Sequence, residues 1–310
     1  MIKVSSPSNI ALIKYMGKTD TVNNIPTNSS LSWSIDHLRT YIELEVSNIG
    51  ADSWAPLTSE YSMNLSKSSV DRFLNFWTYL KDKFSIDGYY VVKSANNFPY
   101  GCGLASSASS FSALTKAAYE LSLKNGGKEY TSSELGEISS KGSGSSCRSL
   151  ENGWVIWKDG EIKKKNFPYN NLLHKVIVVE SGEKKISSSQ AHKLVAGSSL
   201  FPGRPERAEM RLQKLSQALI NKNWKEAYQV IWSEFWDMHA LFETSKPNFG
   251  YMNGKTIDCL NIIRSVWEQH SDGPLVTMDA GPNVHFLFRE DQKSFCEEIM
   301  ETYFGDFKVL

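Results

Sequence analysis

Two periodicities in the hydrophobic pattern of the chain separate strands from helices. Residues 40–46, TYIELEV, alternate apolar and polar side chains, and this period of two predicts a strand with one solvated face. Residues 68–84 carry Val70, Phe73 and Trp77 at helical spacing and predict an amphipathic helix. Similar patterns predict strands at 89–94, 154–157 and 175–180, helices at 104–123, 132–140, 206–221, 223–242, 255–269 and 291–304, and a strand, Gly-Pro turn and strand over 274–288.

The order of these elements predicts an α+β protein, because strands and helices do not alternate strictly. The chain has 310 residues, and single cores tend to split above about 250–300 residues, so we expect two domains. The regular pattern is interrupted over 180–205, where polar, Gly-containing and Pro-containing stretches occur. We therefore predict an N-terminal domain over 1–185 and a C-terminal domain over 186–310.

Charge, cysteines and histidines limit the classes of partner and compartment. Lys plus Arg and Asp plus Glu both number 34, so no net field favours nucleic acid or a membrane surface. The basic run at 163–165 lies between predicted strands and is interpreted as a solvated turn. Four scattered cysteines, and a start without a signal-peptide pattern, favour a cytoplasmic protein with reduced thiols. The six histidines lack metal-ligand spacing and are interpreted as structural or surface groups.

The stretch 96–114, NNFPYGCGLASSASSFSAL, places glycine and serine where a helix begins. Helix N-termini carry unpaired N–H groups and a partial positive charge, and small residues leave room for phosphate oxygens. Pro99 to Ser107 therefore predicts a phosphate-binding loop, in which serine hydroxyls can also bind Mg²⁺. The alternative is a loop whose serines only cap the helix. Neither a Walker A sequence nor a Rossmann fingerprint is present.

Two later clusters offer groups that bind or react with anions and hydroxyls. KGSGSSCRS at 141–149 places hydroxyls beside Arg148, whose planar fork suits a carboxylate or phosphate. MDAGPN at 278–283 places Asp279 where a strand ends at a turn, a usual position for a catalytic carboxylate. Each has a structural alternative, respectively a surface arginine in a Ser-rich loop and a plain turn aspartate.

A further cluster, NIALIKYMGK at 9–18, places Lys14 and Lys18 four residues apart with Tyr15 between them. The structural alternative is a pair of solvated lysines at the end of a strand. No single cluster decides the function, but their combination and order do so.

In chain order, these segments resemble the GHMP kinase superfamily and, within it, the diphosphomevalonate decarboxylases. The resemblance covers nearly the whole chain and is carried by SPSNIALIKYMGK, IPTNSSLSWSI, NNFPYGCGLASSAS, KGSGSSCRSLENGWVIW, ISSSQ and MDAGPN. The core PxxxGLxSSA indicates only a GHMP protein. KGSGSSCRS together with MDAGPN is far more specific to the decarboxylases.

The resemblance implies the two-domain α+β GHMP fold, with a left-handed βαβ crossover in the N-terminal domain and a ferredoxin-like C-terminal domain. It implies that ATP, Mg²⁺ and mevalonate 5-diphosphate bind in the cleft between them. The reaction would phosphorylate the tertiary 3-hydroxyl and then lose phosphate and CO₂, giving isopentenyl diphosphate in the mevalonate route of isoprenoid biosynthesis. We also expect a homodimer, with neither nucleic acid nor a membrane as partner.

The resemblance also assigns roles to individual positions. Asp279 matches the aspartate beside the 3-hydroxyl, Arg148 the arginine that holds the substrate carboxylate, and Lys14 the lysine near the reacting centre. The substrate-binding candidates are Tyr15, Lys18, Arg72, Ser143, Ser145, Ser188 and Ser189. The ATP-binding candidates are Asn97, Pro99, Gly101, Gly103, Leu104, Ser106 and Ser107, and Ser107 is also the candidate Mg²⁺ ligand.

Some positions depart from the family pattern. Met16 replaces the usual tryptophan of KYWGK, Tyr-Gly-Cys at 100–102 replaces the Thr-Ala-Ala of FPTAAGL, and Thr19 and Ser189 stand where other members have arginine. These departures bear on substrate detail and affinity more than on the reaction class. The alternatives are a phosphomevalonate decarboxylase, a GHMP kinase acting on a mevalonate derivative, and a non-catalytic protein on the same fold.

Overall fold

The computed structural model describes residues 1–21, 23–58, 65–99, 104–180 and 185–310. The strands are β1 Ile2–Ile13, β2 Lys18–Asp20, β3 Ile25–Pro26, β4 Ser30–Val46, β5 Ser53–Pro56, β6 Tyr90–Asn96, β7 Trp154–Lys158, β8 Glu161–Lys165, β9 Leu172–Val178, β10 Leu275–Thr277, β11 Val284–Arg289 and β12 Lys308–Val309. The helices are α1 Lys67–Phe84, α2 Ser106–Lys124, α3 Ser132–Gly142, α4 Ser188–Leu194, α5 Arg204–Ile220, α6 Trp224–Glu243, α7 Gly254–His270 and α8 Lys293–Tyr303. The predicted α+β class is confirmed.

The first sheet is organised around β4, a strand of 17 residues. Its order is β5-β6-β4-β7-β8, and β1 also pairs with β4. Antiparallel partners change along β4, because β7 pairs with residues 30–33 and β6 with residues 40–46. β5 and β6 pair in parallel, so the chain between them must cross over the sheet, and that connection contains α1.

The second sheet has the order β10-β11-β9-β12 and is antiparallel throughout. β9 belongs to this sheet although it precedes the predicted domain boundary between 185 and 186. That boundary stays a prediction. Among the described residues, no helix combines the length and the apolar composition needed to cross a membrane.

One apolar core joins the two halves of the chain. Ile10 and Leu12 of β1 are completely buried in the same cluster as Phe235 of α6 and Phe286 of β11. The C-terminal end of β1 therefore lies against the second half of the molecule. This packing brings the residues that follow β1 close to those that follow β10.

Helix α2 has small residues because it packs closely on the first sheet. Its buried face includes Ala108, Ser109 and Ser112. The Ser109 hydroxyl lies 2.7 Å from that of Thr40, and the Ser112 hydroxyl lies 3.0 Å from that of Ser6. The serine-rich sequence therefore serves two purposes, since these inner serines contact the sheet and only the first turn is left for a ligand.

The structure corrects one interpretation and adds elements that the pattern did not predict. Residues 163–165 are not a turn, because Glu161–Lys165 forms an edge strand on β7. Only Ile162 of that strand is buried, and exposed lysines are typical of edge strands. β1 was not predicted because residues 6–13 are buried on both faces and show no alternation. The short helix α4 was also missed.

Candidate active site

A cavity of ≈480 Å³ lies between the two halves of the molecule. Its walls come from the end of β1, the start of α1, the start of α2, the loop after α3, the start of α4 and the turn after β10. The predicted site residues that line it are Lys14, Tyr15, Lys18, Arg72, Leu104, Ser106, Ser107, Ser143, Ser145, Arg148, Ser188, Ser189 and Asp279. Folding therefore brings together predicted residues that lie as far as 265 positions apart.

An ion pair between Lys14 and Asp279 forms one part of the wall. Lys14 Nζ lies 2.6 Å from Asp279 Oδ1, and the two side chains are 3% and 27% exposed. Burial lowers the pKa of Lys14, while Asp279 and then Glu234 oppose that shift. Nε2 of His239 lies 3.2 Å from the main-chain oxygen of Asp279. The aspartate is thus anchored, yet its carboxylate still reaches the cavity.

Buried side chains of α5 and α6 hold the main chain of Lys14. Its N–H donates to Glu234 Oε1 at 2.9 Å, and Arg204 Nη2 donates to its carbonyl oxygen at 2.9 Å. Arg204 and Glu234 are fully buried and paired with each other, and Arg211 donates to the second oxygen of Glu234 at 3.0 Å. Because each buried charge has a partner, this network can fix the end of β1 relative to Asp279.

Arg148 lies on a short 3-10 helix, Ser146–Ser149, and is almost completely buried. Its Nη1 donates to Ser30 Oγ at 2.8 Å, and its guanidinium lies 5.7 Å from the centroid of the Tyr15 ring. Within the described part of the chain, its Nε has no hydrogen-bond partner and no carboxylate pairs with it. A buried guanidinium in this state is suited to an anionic ligand such as a carboxylate.

A second group of cations lies around Lys18. Lys18 Nζ donates to Asn24 Oδ1 at 2.6 Å, and Arg72 Nη2 donates to the main-chain oxygen of Gly142 at 2.6 Å. The pKa of Lys18 is lowered by burial and then by the positive charges of Arg72 and Lys193. Repulsion among neighbouring cations is relieved when an anion binds between them. This part of the cavity is therefore suited to phosphate groups.

The start of α2 supplies the third element of the site. Ala105, just before the helix, has φ 50° in the left-handed region, and no side chain caps the first N–H groups. Ser106 and Ser107 of the first turn line the cavity. An uncapped helix N-terminus with small residues and no acidic side chain in its first turn is suited to bind phosphate oxygens.

Two of the other ATP-binding candidates do not belong to this wall, and two more are not described. Asn97 and Pro99 are described but do not line the cavity. The Asn97 side chain donates to the main-chain oxygen of His37 and accepts from the main-chain N–H of Arg39. Their role in ATP binding stays a prediction. Gly101 and Gly103 lie outside the described residues.

The sequence reasoning missed three side chains that shape the site, and the missed signals can be identified. His192 lines the cavity and follows Ser188 by four residues, which puts both on one face of α4. Glu234 is spaced three residues from Ile231 on the apolar face of α6, so it was a charge at a core position. Arg204 gave no such signal, because its partner lies on another helix.

This combination of groups has a defined chemical capacity. A carboxylate and an ammonium lie together, a buried guanidinium can hold a second carboxylate, and helix N–H groups with nearby cations can hold phosphates. Such a site can position a hydroxyl for phosphoryl transfer within an anionic substrate.

Comparison with known proteins places this site in a family context. The diphosphomevalonate decarboxylase-like N-terminal domain matches residues 6–167, and the mevalonate 5-diphosphate decarboxylase C-terminal domain matches residues 175–309. The diphosphomevalonate decarboxylase of Candida albicans is 31% identical and aligns over 97% of this chain and 88% of its own length.

Solved structures show the same similarity over the full length. A mevalonate diphosphate decarboxylase from Legionella pneumophila superposes with a TM-score of 0.92 at 43% identity, covering 100% of this chain and 99% of that chain. MDDEF in complex with MVAPP, AMPPCP and magnesium superposes with a TM-score of 0.85 at 26% identity, covering 99% of this chain and 95% of that chain.

Proposed function

The chain belongs to the diphosphomevalonate decarboxylase family, and we propose on that premise that it catalyses the ATP-dependent decarboxylation of mevalonate 5-diphosphate. The products are isopentenyl diphosphate, ADP, phosphate and CO₂. The observation that carries the proposal is the meeting of Lys14, Asp279 and Arg148 around one cavity with the uncapped start of α2.

Asp279 is the group that acts on the substrate hydroxyl. A tertiary alcohol is a weak nucleophile, and a carboxylate that accepts its hydrogen bond orients it or removes its proton. The Lys14 ammonium, 2.6 Å from that carboxylate, stabilises negative charge on the transferred phosphoryl group. Both groups act mainly by holding the hydroxyl oxygen in line with the terminal phosphate of ATP.

Arg148 holds the substrate carboxylate. Once the hydroxyl oxygen is phosphorylated, phosphate becomes a good leaving group. The C–C bond to the carboxylate then breaks, its electron pair forms the new double bond, and phosphate departs with the oxygen of C3. The buried guanidinium fixes the carboxylate while this occurs, and the cations of the cavity stabilise the departing phosphate.

ATP and Mg²⁺ fit the residues at the start of α2. The small side chains and uncapped helix of this segment suit phosphate, and the Ser107 hydroxyl is a hard oxygen ligand of the kind Mg²⁺ prefers. When bound with ATP, Mg²⁺ neutralises charge on the phosphate oxygens. The complex of MDDEF with MVAPP, AMPPCP and magnesium supports the binding of ATP and Mg²⁺.

A homodimer in the cytoplasm is part of the same proposal. The dimer rests on the resemblance and is tested by light scattering of the purified protein, where a monomer would contradict it. The compartment is supported by the free, buried thiols of Cys147, Cys259 and Cys296 and by the need for ATP. Fluorescence imaging of a tagged protein in its native cell tests it.

The reaction is tested by identifying products. The protein is incubated with ATP, Mg²⁺ and, in separate reactions, mevalonate, its 5-phosphate or its 5-diphosphate, and ADP and CO₂ are both measured. We expect both products in equal amounts from the 5-diphosphate. CO₂ from the 5-phosphate alone would establish the monophosphate enzyme, and ADP without CO₂ would establish a kinase.

A further inference from the structure

The imidazole of His192 is held in a fixed orientation at the wall of the cavity. Its ring stacks on Tyr15, with centroids 4.7 Å apart and planes at 23°. Tyr15 is itself buried and packs edge-on against Trp157, with centroids 5.5 Å apart. A rigid aromatic stack leaves the imidazole little freedom to rotate away from the cavity.

One nitrogen of His192 already has a partner, and this determines where the proton lies. The main-chain N–H of Gly17 donates to Nδ1 at 3.1 Å. A neutral imidazole carries one N–H, so an accepting Nδ1 places the proton on Nε2. Burial lowers the pKa of His192 to about 3, helped by the positive charges of Lys18 and Arg148. The ring is therefore uncharged near neutral pH.

The other nitrogen of His192, Nε2, has no protein acceptor among the described residues. Nε2 of His192 also differs from the fully buried polar atoms of the described residues that lack a hydrogen-bond partner, because it is not fully buried. It is therefore accessible where His192 lines the cavity. A fixed N–H donor that is accessible in a binding site can donate to a ligand at little entropic cost.

The surroundings of this donor define the ligand. Lys18, Arg72 and Arg148 line the same cavity as His192. Lys18 directly follows Gly17, the residue whose main-chain N–H donates to the ring. Several cations in one cavity favour a ligand with more than one negative oxygen. We propose that His192 donates its Nε2–H to the diphosphate group of the substrate, beside Lys18. This rests on the proposed function, since mevalonate 5-diphosphate supplies that group.

Two variants separate this role from packing. His192→Phe keeps a flat ring for the stack on Tyr15 but removes both nitrogens. His192→Gln can still accept from Gly17 and donate into the cavity. By calorimetry with mevalonate 5-diphosphate, we expect His192→Phe to weaken binding by about 10-fold or more and His192→Gln to recover most of that loss. AMPPCP binding should not change, and neither affinity should change in the control His270→Gln, which alters an exposed histidine.

Calorimetry requires no turnover, so a wild type that binds the diphosphate without releasing CO₂ would contradict the reaction and not this inference. Wild-type affinity for mevalonate 5-diphosphate in His192→Phe would overturn the inference. So would equal loss of mevalonate 5-diphosphate and AMPPCP affinity in both variants, because that pattern indicates disturbed packing.

Histidine-selective ¹⁵N NMR gives a readout that a packing role would not affect. We expect the His192 signals, assigned from their loss in His192→Gln, to show a neutral ring protonated on Nε2 between about pH 6 and 8. Addition of mevalonate 5-diphosphate should shift that Nε2–H resonance. A proton on Nδ1, or an Nε2 signal that does not respond to the ligand, would contradict the proposal.

Discussion

At the residue scale, the protonation of Lys14 connects the structure with the chemistry. Burial draws its pKa below the ordinary value of 10.5, and Asp279 and Glu234 limit the change. The protonated form pairs with Asp279, and in the proposed mechanism it stabilises negative charge on the transferred phosphoryl group. A lowered pKa means that Lys14 loses its proton at a lower pH than an ordinary lysine does. The protonated, active form is therefore lost as the pH rises toward 10.5.

We predict an alkaline decline of kcat whose midpoint lies below pH 10.5. Lys14→Arg keeps its charge at all these pH values, so the residual activity of this variant should not show the decline. Lys163→Arg, on the exposed strand β8, is the matched control and should keep it. Circular dichroism at each pH distinguishes loss of the ammonium from unfolding. The same decline in Lys14→Arg would show that another group titrates.

At the scale of elements, α2 contains two kinds of serine that a pair of variants can separate. Ser107 is exposed in the first turn and lines the cavity, whereas Ser109 is fully buried and bonded to Thr40. We predict that Ser107→Ala lowers kcat on the order of 100-fold and leaves binding of mevalonate 5-diphosphate and the melting temperature nearly unchanged.

Ser109→Ala should do the opposite. It removes a buried hydrogen bond and should lower the free energy of unfolding by about 1 kcal/mol, with little change in kcat. Steady-state kinetics and thermal melts on both proteins test the pair. Normal kcat in Ser107→Ala would remove this hydroxyl from the phosphate site.

The hydrogen bonds that join Glu234 and Arg204 to the main chain of Lys14 lead to a second prediction at this scale. Glu234→Gln still offers an acceptor to the Lys14 N–H but removes one of the two carboxylates that Arg204 and Arg211 share, the other being that of Asp237. Because Asp237 still pairs with both arginines, we expect a loss of about 2 kcal/mol in the free energy of unfolding, measured by denaturant titration, together with a lower kcat.

The matched control is Glu226→Gln on the same helix. It affects a partly exposed pair with Lys214 and an exposed hydrogen bond from Asn223, which a glutamine oxygen can still accept, and it should cost about 0–1 kcal/mol. Equal stability of the two variants would mean that the buried network does not hold the end of β1.

At the scale of the whole molecule, the sequence predicted regular elements and conspicuous motifs better than the contacts between them. α1 and α6 have strong helical periodicity and were predicted almost to the residue. Lys14 and Asp279 were predicted as site residues because each lies in a distinctive motif, and the structure pairs them at the cavity. The hold on Lys14 was not predictable, because Arg204, Glu234 and the end of β1 meet only through tertiary packing.

The same reason explains why His192 was overlooked and why the two functions of the α2 serines could not be separated. Their roles depend on which side of a helix meets the sheet and which meets the cavity. Local patterns indicate that a helix has two faces, but the neighbouring elements decide what each face contacts.

The central claim, that the Lys14–Asp279 pair directs phosphoryl transfer to the substrate hydroxyl, is tested most directly with Asp279→Asn. This change keeps the shape of the turn and removes the charge. Melting temperature, ADP release and CO₂ release are measured on one preparation with ATP, Mg²⁺ and mevalonate 5-diphosphate. We predict a folded protein in which ADP and CO₂ release fall together by about 10²–10⁴-fold. A folded variant that releases both products at near wild-type rates would contradict the account, and ADP release without CO₂ would place Asp279 after the phosphoryl transfer.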